Sequence, residues 1–260
     1  MAADRWESVV FIDLDHTLLE GPFDAVVFPQ VLGKIAQQSG LDYDTLLRLV
    51  RKENLERQHN PAFSAVQAMD WDDILTQAAY RLGVKLKTNA LEVVQVHPGP
   101  PYTLLHAGAR EALEQLAAAR PGRALVLATK GLRKYQLPIL EAHGLLPFFD
   151  DILTPDANQA LKQSIAFYAR WPQMTCVQIM VGDTYEDDIL PARRFGFKTV
   201  WKPRVNPEAS PAAVVMDPFL RVYEKQYFLT DQVVRPDAII LSLSELPEVV
   251  ERLEYDYRAA

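Results

Sequence analysis

Val9-Val10-Phe11-Ile12, running into Asp13-Leu14-Asp15-His16-Thr17, is the stretch that decides how this chain is read. Four apolar residues without alternation predict a strand covered on both faces. In open α/β sheets, ligands gather outside the carboxyl ends of such strands. Two carboxylates and a hydroxyl therefore stand where chemistry is expected. Taken alone, two acids at that spacing describe an acidic turn as well as they describe a site.

Two further runs end in the same way. Ala124-Leu125-Val126-Leu127-Ala128 leads into Thr129-Lys130-Gly131, and Cys176-Val177-Gln178-Ile179-Met180-Val181 leads into Gly182-Asp183-Thr184-Tyr185-Glu186-Asp187-Asp188. Each is a short apolar segment followed by a helix-like pattern, which reads as repeated βα units and a parallel sheet. Their polar tips would share one edge. Asn158 to Ser164 reads as the first turn of a helix, from which Lys162 would reach the same edge.

Four segments in this order resemble the haloacid dehalogenase-like (HAD) superfamily, specifically its phosphatase branch with a helical cap. The family's Asp-x-Asp-x-Thr matches Asp13, Asp15 and Thr17, its lone strand-ending Thr matches Thr129, and its Lys matches Lys162. Its Gly-Asp followed by a further acid matches Gly182, Asp183 and Asp188, although spacing alone leaves open whether Asp187 or Asp188 faces the site. Phe149-Asp150-Asp151-Ile152 and Gly196 to Trp201 also fit, and Pro236 to Leu241 reads as a last strand. Three departures stand out: Gln163 follows the motif Lys where the family often has Pro, Lys130 replaces a frequent Asn, and Arg204 to Arg235 is a long link.

The resemblance implies a Rossmann-like parallel-sheet core made of residues 1–19 and 104–260, with a mainly helical cap at 20–103. The sequence supports a helical insertion on its own terms. Asp24 to Ser39 closes with Gly40, Asp42 to Arg57 opens on an acid at a capping position, and Asp70 to Leu82 closes with Gly83. Glu20-Gly21-Pro22 and His97-Pro98-Gly99-Pro100-Pro101 are stiff, turn-rich links on either side, suited to act as hinges.

Composition bounds the partners. A chain of 260 residues that is 49% hydrophobic can bury a full core with an insertion. Its net charge of −7 argues against nucleic acid and anionic membranes as main partners. No apolar run approaches the ~20 residues that span a bilayer. The polar start lacks the layout of a signal peptide, and the single cysteine, Cys176, can form no internal disulfide. These features lead to the expectation of a cytoplasmic protein.

Four acids at one edge would repel, by about 4 kcal/mol for a pair ~4 Å apart at an effective dielectric of ~20. A hard divalent cation with oxygen ligands relieves this, and Mg²⁺ is the natural candidate beside a phosphate. The resemblance implies that Asp13 attacks phosphorus, that Asp15 acts as acid and then base, and that Lys162 supplies a positive charge. It further implies that Asp13, the Asp15 carbonyl, Asp183 and Asp188 surround the metal, while Thr129, Lys130 and Gly131 bind the phosphoryl oxygens of a small phosphorylated substrate. A dehalogenase of the same superfamily, with an Asp nucleophile but without the second acid or a metal, is the nearest rival, followed by a phosphomutase. A receiver-like signalling module is the rival from another class.

Other residues read as structural first. His16 sits at the motif's variable position, where a hydrogen-bonded structural imidazole is expected. Arg48, Arg51, Lys52 and Arg57 describe a solvated cap face before they describe an anion site. Lys130, Arg133 and Lys134 are better placed for an anion, as they open the helix after Thr129. Phe219 to Phe228 would cover a sheet edge or form a homodimer contact.

Overall fold

The computed structural model describes residues 6–118, 122–171, 176–204 and 234–259. Its strands in chain order are β1 (Ser8–Ile12), β2 (Leu19–Glu20), β3 (Leu104–Leu105), β4 (Arg123–Ala128), β5 (Asp151–Leu153), β6 (Val177–Gly182), β7 (Lys198–Trp201) and β8 (Ala238–Ile239). Six of them form one sheet in the order β5-β4-β1-β6-β7-β8, with every neighbouring pair parallel. The sequence reading of a parallel sheet with β1 among its buried strands therefore holds.

Alternation along β1 explains how the layers are held. Val10 and Ile12 join Leu125, Leu127, Ile179 and Val181 in a cluster that continues into the inserted helices. Val9 and Phe11 point the other way, into a cluster with Ala124, Val126 and Met180, where Phe11 stacks on Phe197 at 5.5 Å between ring centroids. Both faces are covered, so the strand carries no polar side chain between Val9 and Ile12. The first acids appear only where cover ends.

Between β2 and β3, which pair as a short antiparallel ribbon, lies the mainly helical region. It holds α1 (Phe28–Ser39), α2 (Tyr43–His59), α3 (Ala65–Met69), α4 (Trp71–Arg81) and α5 (Ala90–Val96). A π-helical turn at Phe23–Val27 runs directly into α1, which ends at Gly40 with φ 76°. Asp42 caps α2, as the sequence predicts, by accepting from the Thr45 amide, and Asp70 caps α4 by accepting from the Asp72 amide. The periodicity missed α3 and α5. Both are short, yet each carries a readable capping box, Ser64 with Gln67 and Asn89 with Glu92.

The remaining α-helices among the described residues are α6 (Ala109–Ala118), α7 (Arg133–Ala142), α8 (Pro155–Asn158), α9 (Leu190–Arg194) and α10 (Leu246–Ala259). One expectation requires correction here. Asn158 to Ser164 is not the first turn of a helix: α8 ends at Asn158, Gln159 adopts a left-handed φ of 52°, and Lys162 sits in the turn that follows. The next helical segment is a 3₁₀ turn at Ile165–Tyr168 capped by Ser164. Phe219 to Phe228 lies outside the described residues.

At the opposite end of the sheet from the acids, α10 is pinned by a buried ion pair. Arg123 donates from Nε and Nη2 to the two Glu254 carboxylate oxygens, each at 2.7 Å, and Ser8 Oγ donates to Glu254 Oε1 at 2.6 Å. Truncating one member of such a pair leaves a buried charge uncompensated. Glu254→Ala should therefore lower unfolding free energy by about 3–5 kcal/mol in denaturant titration. A loss below ~1 kcal/mol would show that the pair is solvated, as exposed pairs are.

Candidate active site

Parallel register brings the acids together. Ile12 aligns with Leu127 of β4 and with Val181 of β6, so the residues just beyond these strands emerge at one level. Asp13 extends the β1–β6 ladder by one bond, its amide donating to Val181 O at 2.9 Å. Thr129 does the same on the other side, donating to Leu153 O at 3.1 Å. Asp13, Asp183 and Asp188 then have carboxylate oxygens all within 4.8 Å of one another, and all three are buried. This resolves the ambiguity in the acidic loop: Asp188 faces the cluster.

Lys162 sits at the centre with only 1% of its surface exposed. Its Nζ donates to Asp13 Oδ1 at 2.5 Å and to Asp188 Oδ1 at 2.8 Å. Burial by itself would lower the lysine pKa, but the Asp13 and Asp188 charges more than offset this and hold it above its ordinary value. The sequence placed the charge correctly and its secondary structure wrongly. A turn, rather than a helix, brings the side chain inward.

Local geometry fixes the other members. Thr17 Oγ1 donates to Asp13 Oδ2 at 2.9 Å. Thr184 N donates to Asp188 Oδ2 at 3.0 Å, and a Cβ on Gly182 would fall 2.2 Å from Asp188 Cγ, so that position requires glycine. Trp201 Nε1 donates to Asp183 O at 2.8 Å, and Arg204 Nε donates to its Oδ2 at 2.5 Å.

Burial pushes the carboxyl groups of Asp13 and Asp188 up, against the opposing pull of Lys162, and Asp183 adds like-charge repulsion to both. Three carboxylates face two cations here, Lys162 and Arg204. A further positive charge would relieve the excess. Three carboxylates offering hard oxygen donors fit Mg²⁺ better than a softer metal.

Asp15 stands apart from this cluster. Gln136 of α7, which the sequence reading did not single out, donates from Nε2 to Asp15 Oδ2 at 2.8 Å. Burial, then the Asp13 charge, raise the Asp15 pKa to about 6, while the Gln136 bond opposes the rise. The signal for Gln136 was present: it shares the buried side of α7 with Ile139 and Leu140, where an amide needs a partner. A Cβ at Gly131 would meet Gln136 Nε2 at 1.8 Å, and one at Gly21 would meet Asp15 Oδ1 at 2.5 Å. Both glycines permit the close approach.

The other singled-out residues divide. Thr129 is buried, and its Oγ1 accepts from Gly131 N at 3.1 Å. Lys130 pairs with Asp187 at 2.6 Å, and Gln163 also bonds Asp187. Lys134 reaches away from the acids to Asp70 and Asp72 of the inserted region, at 2.8 and 2.9 Å. Tyr135 Oη joins it there, donating to Asp70 Oδ1 at 2.8 Å. Arg51 pairs with Asp24, Lys52 with Glu56, and Arg57 is buried between Glu53 and Asp73, so these cations stabilise the inserted region itself. His16 is hydrogen-bonded as expected, with Nδ1 2.8 Å from Glu20 Oε2, on a residue with φ 63°.

Ionising Asp15 in the folded protein costs stability because its folded pKa lies above the ordinary carboxylate value. Metal-free protein should lose that contribution as pH rises from the ordinary carboxylate range through about 6. Asp15→Asn should therefore gain stability relative to wild type across this window, by on the order of 3 kcal/mol at neutral pH. Urea titrations at pH 4 and pH 7 measure it; an unchanged difference between the two pH values would contradict the burial argument.

No family model and no curated protein matches this sequence. Solved structures do. A HAD phosphatase from Thermococcus onnurineus superposes with a TM-score of 0.65 at 23% identity, covering 94% of this chain and 97% of the other. A putative HAD-hydrolase from Bacillus subtilis bound to magnesium gives 0.61 at 18%, covering 95% and 100%. The L-2-haloacid dehalogenase from Xanthobacter autotrophicus gives 0.61 at 17%, covering 95% and 98%. These likenesses show that the chain has the HAD-like fold, a parallel-sheet core with an inserted helical cap.

Proposed function

We propose that this protein is a Mg²⁺-dependent phosphatase that hydrolyses a small phosphorylated metabolite through an aspartyl-phosphate on Asp13. The observation that carries the reading is the second acid, Asp15, which is partly buried beside Asp13, held by Gln136 and raised to a pKa of about 6. A dehalogenase needs only the first carboxylate. An acid poised near neutral pH serves a reaction whose leaving group must be protonated.

In this reading Asp13 attacks phosphorus, the bond from phosphorus to the ester oxygen breaks, and Asp15 gives its proton to the departing alkoxide. Asp15 then takes a proton from the water that attacks the phospho-enzyme. The bond between phosphorus and Asp13 breaks, and the free carboxylate returns. Lys162 holds the Asp13 carboxylate in place by its 2.5 Å bond. Thr129, Lys130 and Gly131 stand at the adjoining strand end for the phosphoryl oxygens, Lys130 exchanging Asp187 for the substrate. The Asp13 side chain, the Asp15 carbonyl, Asp183 and Asp188 would hold Mg²⁺, which supplies charge neutralisation between the carboxylates and the phosphate.

Residues 20–103 act as the cap and select the substrate, over a core of residues 1–19 and 104–260. The docking of Lys134 and Tyr135 on Asp70 and Asp72 ties the cap to α7, the helix that also carries Gln136. A free small molecule in the cytoplasm is the expected partner. Among the described residues, no helix is long and apolar enough to cross a membrane.

The two acids give the test. Asp13→Asn should eliminate turnover with every phosphate ester, whereas the effect of Asp15→Asn should depend on the leaving group. An alkyl phosphate needs the acid, so its first step should slow by about 10²–10⁴-fold. p-Nitrophenolate leaves without a proton, so p-nitrophenyl phosphate should give a burst of nitrophenol followed by a slow steady state. Chelation by EDTA should stop all of these reactions until Mg²⁺ is restored. Wild-type rates for Asp15→Asn with alkyl phosphates, or full activity after exhaustive metal removal, would overturn the proposal.

A further inference from the structure

Beside the acid cluster, between the loop after β1 and the chain beyond β7, lies a cavity of about 470 Å³. That volume falls in the range of small-molecule sites, which run from about 300 to 1,000 Å³. The charged and ionisable residues of its wall are His16, Glu20, His106, Lys202 and Arg204, and Leu243 contributes to its apolar side. The charges in this wall are unequally engaged.

Glu20 is its carboxylate, and it is already shared: His16 Nδ1 lies 2.8 Å from Oε2 and His106 Nε2 lies 2.9 Å from Oε1. Lys202 Nζ donates to His16 O at 3.2 Å and lies 3.0 Å from His106 Nδ1. His106 Nδ1 is shared, since it also lies 3.0 Å from the carbonyl oxygen of Thr17. Neither partner of the ammonium is a carboxylate. Among the described residues, no carboxylate lies within ion-pair distance of Lys202. Burial also pushes the Lys202 pKa down, as expected of a half-buried ammonium that lacks a close counter-ion.

Arg204 uses only Nε in its bond to Asp183 Oδ2. Its two terminal nitrogens have no partner among the described residues, which leaves a planar pair of donors at the cavity wall. The same wall adjoins the reacting carboxylates. Arg204 is bonded to Asp183, and His106 Nδ1 lies 3.0 Å from the carbonyl of Thr17, whose hydroxyl is bonded to Asp13.

We propose that this cavity receives a second anionic group of the substrate, a carboxylate or phosphate at the end opposite the reacting phosphoryl, and that Lys202 and Arg204 bind it. The proposal rests on the phosphatase reading and narrows it: the substrate class is phosphate monoesters with a distal negative charge. Leu241 and Leu243 give the cavity an apolar side for the connecting carbons. Glu20, the one carboxylate of this wall, is already engaged by His16 and His106.

Calorimetric binding with two pairs of phosphonates in the presence of Mg²⁺ tests the site without requiring turnover. 3-Phosphonopropionate is compared with propylphosphonate, and 4-phosphonobutyrate with butylphosphonate, so that only the distal carboxylate differs within each pair. For at least one pair the carboxylate should tighten Kd by tenfold or more, and Lys202→Met or Lys202→Gln should reduce that preference to less than threefold. Arg204→Met should weaken it in the same direction. Equal affinities within both pairs, no binding of any of the four, or a preference that survives both Lys202 variants would overturn the proposal. Hydrolysis of p-nitrophenyl phosphate decides the phosphatase reading separately. A charge-dependent preference in a protein that does not turn this ester over would keep the anion site and refute the phosphatase.

Discussion

The structure depends on how buried negative charge is balanced at one end of the sheet. Asp13, Asp183 and Asp188 are all buried, and Lys162 supplies the central positive charge, bonded to two of them. Removing Lys162 would leave Asp13 and Asp188 uncompensated in a low-dielectric setting, at a cost of several kcal/mol. Much of the neighbouring geometry follows from this. Gly182 lacks a side chain because Asp188 must lie against it, and Trp201 and Thr184 bond the backbone and side chain of Asp183. The apolar sheet beneath keeps these groups in place, since β1 offers no polar side chain between Ser8 and Asp13.

The same cluster divides the two acids of the first loop by environment. Asp13 touches Lys162 and Thr17, while Asp15 faces a neutral amide, Gln136. Two carboxylates two residues apart thus occupy settings suited to different work. A lysine contact favours the ionised form, and a buried site without a cation favours the protonated one. α7 links this difference to the inserted helices, because Lys134 and Tyr135 bind Asp70 and Asp72 while the next residue, Gln136, binds Asp15. Displacement of the helical region therefore bears directly on the position of the acid.

Much of this was legible in the amino-acid sequence, for identifiable reasons. The apolar runs ending at Asp13, Thr129 and Asp183 fixed the sheet edge, because a strand covered on both faces has no other place for a polar side chain. Asp42, Asp70, Gly40 and Gly83 marked helix ends through capping and positive φ, both local effects. What stayed hidden depends on tertiary contact. Lys162 reaches the acids from a turn that Gln159 initiates in a left-handed conformation, and glutamine carries no strong signal for that. Lys134 reads as a candidate anion ligand until the inserted Asp70 and Asp72 are seen beside it. Gln136 and Arg204 acquire meaning only from partners more than a hundred and about twenty residues distant in sequence, respectively.

The central claim is that Asp13 becomes phosphorylated, and chemical trapping measures this most directly. Enzyme turning over p-nitrophenyl phosphate with Mg²⁺ is quenched within milliseconds and treated with borohydride, which reduces an acyl phosphate to an alcohol. Peptide mass spectrometry then reads the modified position. The account predicts homoserine in place of Asp13, increased by Asp15→Asn and absent without Mg²⁺. Reduction at a different carboxylate, or steady turnover with no trapped residue in Asp15→Asn, would contradict it.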